Sequence, residues 1–249
     1  MQFPCDATKL KESADHYKNF GFDFESNMVY FGAGLKFLHG GSLLESSHNE
    51  TSKYGEMSQM QIYATAAKLF KSCAHEYESR QETAAAALAY KCMEVVYMRV
   101  VYCKHSSTNR DRCELQSTLQ VVSQGESPSS SASDVDNLNN QVVMDKATLP
   151  KVTNAHVAGN HVISVRTRPS LDRLLDFTQD INFAMEAATK CHSTFSAANA
   201  MMEETRNRDC ITSIKRVIDF SFQDVDELVR LVRNATKAIS GASLGGTRD

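Results

Sequence analysis

The chain has 249 residues, of which 42% are hydrophobic and 23% charged, and carries a net charge of −3. Such a length and composition suit a globular domain whose core needs neither metals nor disulfides. The slight negative balance excludes a chain that is polycationic as a whole and leaves only a local basic patch as a route to polyanions.

The seven cysteines, Cys5, Cys73, Cys92, Cys103, Cys113, Cys191 and Cys210, are odd in number and scattered, with no CxxC. They read as reduced thiols of a nuclear or cytosolic protein. The opening MQFPCD lacks the basic-then-apolar pattern of a secretory signal. The most apolar stretch, Ala84–Cys103, contains Lys91, Glu94 and Arg99 and reads as a buried helix, so no membrane partner is expected. Four Pro and 11 Gly leave few breakers and favour long helices.

In chain order, a first helix is expected from an Asp6 cap to Gly21. A second is expected over about Ser26–Ser46, where Gly32, Gly34, Gly40 and Gly41 permit close helix approach. A third covers about Gly55–Arg80 at helical period. The fourth, about Gln81–His105, is apolar nearly all round and belongs at the centre of a helical array. A shorter, more polar fifth follows over Asn109–Val122. The segment 124–150 is rich in Ser, Asn and Asp and reads as a disordered, flexible insertion. Val152–Val165 is expected to form one short helix. Two long helices then close the chain. The first, Ser170–Glu204, opens with a Ser170 cap and carries a heptad-like stripe of Leu171, Leu174, Thr178, Ile181, Met185, Ala188, His192, Phe195 and Met202. The second, Cys210–Ser240, carries Ile211, Ile214, Ile218, Phe222, Val225, Leu228, Val232, Ala235 and Ile239. A hinge at Thr205–Asp209 makes them antiparallel neighbours.

Residues able to carry chemistry are sparse. Cys103, His105 and Cys113 match no zinc spacing, and His156 and His161 do not share a helical face. Hydrolase, phosphate-loop, zincin and dinucleotide motifs are absent. No catalytic residue, metal or cofactor is therefore expected, and no enzyme. Arg230, Arg233 and Lys237 recur at helical spacing. They read either as a solvated face paired with Asp224, Asp226 and Glu227 or as a ridge contacting nucleic-acid phosphates. Ser127–Pro128 and the serines before Asp134 read as phosphorylatable or as a bare spacer. The sequons at Asn49 and Asn234 read as chance matches.

Several strings resemble a known family. CDATKLKESADHY, LKFLHGGSLLESS, AALAYKCMEVVYMRVVYCKH and the Ala158, Asn160, His161, Val162 segment resemble the C-terminal homology domain of AFF-family scaffold proteins of the super elongation complex. The same strings, with ESPSSSASDVDNLNNQ, are more similar still to the C-terminal region of plant CW-type zinc finger proteins. The animal resemblance implies an α-helical fold partly like tetratricopeptide stacks, homo- and heterodimerisation in support of transcription complexes, and nucleic-acid binding. The plant resemblance implies a protein whose CW zinc finger reads histone tails. The chain has no Trp and no CW cysteine pattern, so it is expected to be a C-terminal part lacking that reader.

The expectation is thus one all-α domain over 1–249, an antiparallel helical array with two long C-terminal helices. Its expected role is homodimerisation in a nuclear chromatin- or transcription-associated protein, with heterodimerisation to paralogues. Phe177, Ile181, Met185, Phe222, Val225 and Val229 are the candidate interface, or else core of the single chain. Nucleic-acid binding through Arg230, Arg233 and Lys237 is the alternative. A scaffold whose groove takes a partner helix stands third.

Overall fold

The computed structural model describes residues 3–47, 53–124, 167–204 and 208–245. Among them it has seven α-helices and no strand, the all-α array that the periodicity predicts. The helices are α1 (Phe3–Asn19), α2 (Asp23–Ser47), α3 (Lys53–Ser79), α4 (Thr83–Gln124), α5 (Arg168–Glu204), α6 (Arg208–Ile218) and α7 (Val225–Gly245). The expected insertion and the short helix over Val152–Val165 lie outside the described residues, apart from Gln124, which ends α4. Two compact units are present, Met1–Ser107 with Leu175–Asp249, and Thr108–Leu174.

In the larger unit, α1 and α2 are joined by a corner that glycine makes. The Gly21 amide donates to the Lys18 carbonyl and the Phe22 amide to the Tyr17 carbonyl, both at 3.0 Å. Gly21 has φ 80°, the left-handed conformation that this helix ending requires. The corner between α3 and α4 repeats the pattern: the Gln81 amide donates to Glu78 (3.0 Å) and the Glu82 amide to Tyr77 (2.8 Å). Here a non-glycine residue, Gln81, takes φ 61°. One offset separates Ala14 from Ala74, Tyr17 from Tyr77 and Gly21 from Gln81, and both alanines are fully buried.

Each of α2, α3 and α4 donates a tyrosine hydroxyl to a carboxylate on the helix before it. Tyr30 donates to Asp15, Tyr63 to Glu45 at 2.9 Å, and Tyr90 to Glu78 at 2.7 Å. A buried phenol needs such a partner. Burial, reinforced by the Asp15 carboxylate, pushes the Tyr30 hydroxyl up to about 12. Burial first, then the facing carboxylate, raises Tyr63 and Tyr90 as well. Two glycines let these large rings in: a Cβ on Gly34 would fall 2.8 Å from the Phe70 ring, and one on Gly41 would fall 2.5 Å from Tyr63. The close approach expected of the α2 glycines is therefore aromatic ring against backbone.

The first part of α4 is the centre of this unit. Ala86, Ala87, Leu88, Ala89, Tyr90, Cys92, Met93, Val95 and Val96 are all buried. Lys91 is buried too, its ammonium 3.0 Å from Glu94. Arg99 forms an ion pair with Glu45, which also receives the Tyr63 hydroxyl. Its guanidinium lies 5.2 Å from the centre of the Tyr102 ring. On another side α5 meets α4 through Lys104–Asp180 (2.6 Å) and through Tyr97 and Phe183, whose rings are 5.1 Å apart.

Four local expectations are corrected. The predicted fourth and fifth helices are one, α4, because Ser106–Ser107–Thr108 contains neither Gly nor Pro to break it, and the Ser107 hydroxyl turns back to the Lys104 carbonyl at 2.9 Å without ending it. The predicted last helix is two, α6 and α7, separated by Asp219–Asp224. Asp224 restarts the chain as an N-cap, its carboxylate accepting the Glu227 amide at 2.9 Å. Ser170 is no cap: α5 begins at Arg168, and the Ser170 hydroxyl accepts from Arg173 at 3.1 Å. On α5 the buried face is Ala184, Ala187, Cys191, Thr194 and Ala198, not the predicted stripe of larger residues.

In the smaller unit, Thr108, Asp111, Thr167 and Ser170 are buried. Arg173 grips both carboxylate oxygens of Asp111, at 2.7 and 2.6 Å. That bond holds the Asp111 carboxyl below the usual carboxylate range.

The two corners predict opposite responses. Gln81→Gly should stabilise the fold by about 0.5–1 kcal/mol by removing a left-handed non-glycine, whereas Gly21→Ala should cost about 1 kcal/mol. Urea midpoints at constant m-value check both. Arg99→Ala strips Glu45 of its cation in a mostly buried site and should cost about 2–4 kcal/mol by the same measurement.

Candidate interaction surface

Chemistry of the catalytic kind has little to work with among the described residues. No group of three or more His, Cys, Asp or Glu side chains there is placed to hold a metal. Cys103 receives a weak hydrogen bond from Gln59 at 3.6 Å, and His105 and Cys113 are exposed. Burial pushes the Cys73 and Cys191 thiols up to about 12, so both stay protonated at neutral pH and behave as small core residues. What the larger unit offers is surface.

The α5 surface follows from how α5 is buried. Its small residues, Ala184, Ala187 and Cys191, face the core and let the helix approach closely. Larger apolar residues are thereby turned to the flank. Phe177 and Ile181 are half-buried, Met185 is 64% exposed and Leu175 is 59% exposed. Phe177, Ile181 and Met185 follow one another at four-residue steps and so share one side of the helix.

The other three candidate interface residues sit elsewhere. Val225 and Val229 are buried within the chain's own core, on the inward face of α7. Phe222 lies between α6 and α7, half-buried, with its ring 6.5 Å from that of Tyr102. The six therefore do not form one patch: three share α5, two are core, and one packs on α4.

The outward face of α7 carries the three basic candidates. Arg230, Arg233 and Lys237 line an open cleft of about 390 Å³ together with His39, Asp226, Val229 and Asn234. His39 of α2 closes one wall, its Nε2 2.9 Å from an Asp226 oxygen. Arg230 is engaged by Glu227 at 2.6 Å, a bond that lowers the Glu227 carboxyl and raises the guanidinium. Arg233 and Lys237 are exposed at the rim. The ridge is thus split: one cation answers a carboxylate, while two point into solvent beside a concavity.

Sequence reasoning missed two features. The tyrosine–carboxylate bonds join residues 15, 18 and 12 positions apart, which no helical period connects. The α1–α2 corner exposes five large apolar residues, Tyr17, Phe20, Phe22, Phe24 and Met28. The alternating Phe of NFGFDF was the available signal for it. No helix among the described residues is long and apolar enough to cross a membrane.

Comparison with known proteins places this architecture. Residues 4–241 match the family model described as the CWZF3-5-7 THD domain. Three rice (Oryza sativa subsp. japonica) relatives are similar over 94% of the chain. Cysteine-tryptophan domain-containing zinc finger protein 3 is 43% identical over 238 residues, protein 7 is 40% identical over 237, and protein 5 is 36% identical over 249. The chain spans only 26%, 15% and 16% of their respective lengths. The chain belongs to the CWZF3-5-7 THD domain family of cysteine-tryptophan zinc finger proteins.

Proposed function

We propose that this domain is a homodimerisation module, extending to heterodimers with its paralogues, in a nuclear protein associated with chromatin or transcription, and that it catalyses no reaction. The observation that carries the reading is the α5 flank. Beside a core face made of alanine, cysteine and threonine, Phe177 and Ile181 are half-buried and Met185 is 64% exposed, a stripe that runs from the edge of the core to solvent. Two copies of such a helix offer each other the same stripe, as a two-fold interface requires. The placement of the family in zinc finger proteins supports the nuclear setting. Paired copies of a longer protein would gain avidity, because the second engagement becomes intramolecular.

The sedimentation mass of the domain should correspond to a dimer at micromolar concentration. Ile181→Lys with Met185→Lys should weaken association by more than about tenfold, equivalent to about 1.4 kcal/mol, with unchanged helical content. A wild-type domain that stays monomeric at high micromolar concentration ends the proposal.

A second reading, nucleic-acid binding, is favoured by one specific observation: Arg233 and Lys237 are exposed at the rim of the α7 cleft. Two phosphate contacts contribute about −1.8 to the slope of log affinity against log salt on duplex DNA. Arg233→Ala with Lys237→Ala should flatten that slope by about this amount while leaving the oligomeric mass unchanged. A slope identical to wild type removes these residues from any nucleic-acid contact.

A further inference from the structure

The α1–α2 corner carries more apolar surface than its fold requires. Phe20 is 65% exposed, Phe22 54%, Tyr17 42%, Met28 42% and Phe24 41%. They fall within twelve residues of one corner: the Tyr17 and Phe22 rings lie 6.5 Å apart, Phe20 packs edge-on against His16 at 4.6 Å, and Phe24 and Met28 are one helical turn apart. A patch of this kind exceeds the single scattered exposures that need no explanation.

The α3–α4 corner supplies an internal control. It has the same hydrogen-bond pattern, built with Arg80 where the first has Phe20 and with Glu82 where the first has Phe22. Polar side chains therefore satisfy this corner geometry within the same molecule, and closing the turn does not demand the exposed phenylalanines.

Charge decides what would sit there. The start of α2 packs on the end of α3, since Asn27 donates to the Cys73 carbonyl at 3.5 Å and the Phe31 and Tyr77 rings lie 6.2 Å apart. On the aromatic corner itself the exposed Asp23 and Glu25 stand against one fixed cation, Lys18. Arg80 is already held by Glu76 at 2.6 Å. The aromatic surface thus carries a net negative charge, which repels a like-charged surface and suits a cationic one. A second copy would bring the same negative charge against this one.

We propose that the α1–α2 corner is a docking site for a short basic, amphipathic segment of another protein, whose apolar side chains seat on Phe20, Phe22, Phe24 and Met28 while its lysines and arginines meet Asp23 and Glu25. The segment binds as a helix laid on an apolar surface, with charge fixing its orientation. This site lies on α1 and α2, whereas the stripe of the proposed dimer lies on α5.

The experiment uses the intact domain and two synthetic amphipathic peptides of one leucine pattern, one with lysine and the other with glutamate at every polar position. The lysine peptide should bind and the glutamate peptide should not. Phe20→Arg with Phe22→Glu copies the polar corner that the chain already folds, and should weaken the lysine peptide by about tenfold or more at unchanged oligomeric mass. Asp23→Lys with Glu25→Lys, which leaves the aromatic surface intact, should weaken it likewise and admit the glutamate peptide. If the first variant loses helical content, Phe24→Gln with Met28→Gln replaces it with the same expectation. Equal binding of both peptides overturns the proposal, as does an affinity unmoved by the variants. A fall in the domain's own mass in Phe20→Arg/Phe22→Glu also overturns it, by assigning the corner to a second copy.

Discussion

Burial of the α4 stretch from Ala84 to Val100 on nearly every side is the constraint from which the rest of the larger unit follows. A helix apolar all round gains nothing from water on any face and has to be enclosed. Enclosure also reaches its charged groups. Lys91 finds Glu94 and Arg99 finds Glu45, because an unpaired buried charge costs several kcal/mol. The Lys91–Glu94 pair lies within α4, whereas Arg99–Glu45 joins α4 to α2 and limits how those two helices can register against each other. The second Glu94 oxygen is buried without a hydrogen bond among the described residues, a cost that the fold carries rather than resolves.

The same constraint explains why α5 looks as it does. Where α5 runs beside α4, through Phe183 on Tyr97 and Lys190 over Tyr90, its own buried side is made of small residues, Ala184, Ala187, Cys191 and Ala198. Close approach maximises contact on both helices. It also fixes the rotation of α5, and that rotation carries Phe177, Ile181 and Met185 to the flank. The exposed stripe is thus a by-product of how the core is closed, which makes it available for association without any cost to the single chain's packing.

How much was legible in the sequence depends on whether the signal was local. The Ala84–Cys103 stretch announced its burial through composition alone, and Gly21 announced its corner because few other residues take φ 80°. The second corner was placed as well, with the third and fourth helices expected to meet at Arg80 and Gln81, although Gln81 carries no turn signature and its φ of 61° was not foreseen. The α5 face was misassigned because the periodic stripe was traced through large residues, whereas the side that is buried carries Ala184, Ala187, Cys191 and Ala198. The break before α7 rested on Asp224, a cap that a continuous apolar stripe concealed. The tyrosine–carboxylate bonds between helices were not legible at all, since their partners meet only once the array has formed. Of the candidate surfaces, the α7 cations stood out by spacing, while the division between Arg230, engaged by Glu227, and exposed Arg233 and Lys237 needed coordinates.

The two faces of α7 divide its labour. Val225, Leu228, Val229 and Val232 face inward and are buried, while Arg230, Arg233 and Lys237 face outward one or a few positions away. Val229 nevertheless lines the same cleft as the cations. An apolar change at that position alters packing and cleft together, so loss of binding there carries no functional meaning. Changes at Arg233 and Lys237 touch no core contact and separate the two effects. The logic holds for α5, where Ala187 and Cys191 report on the fold and Met185 reports on the surface. In an array closed by small residues, the informative positions for function are the large side chains that the core left outside.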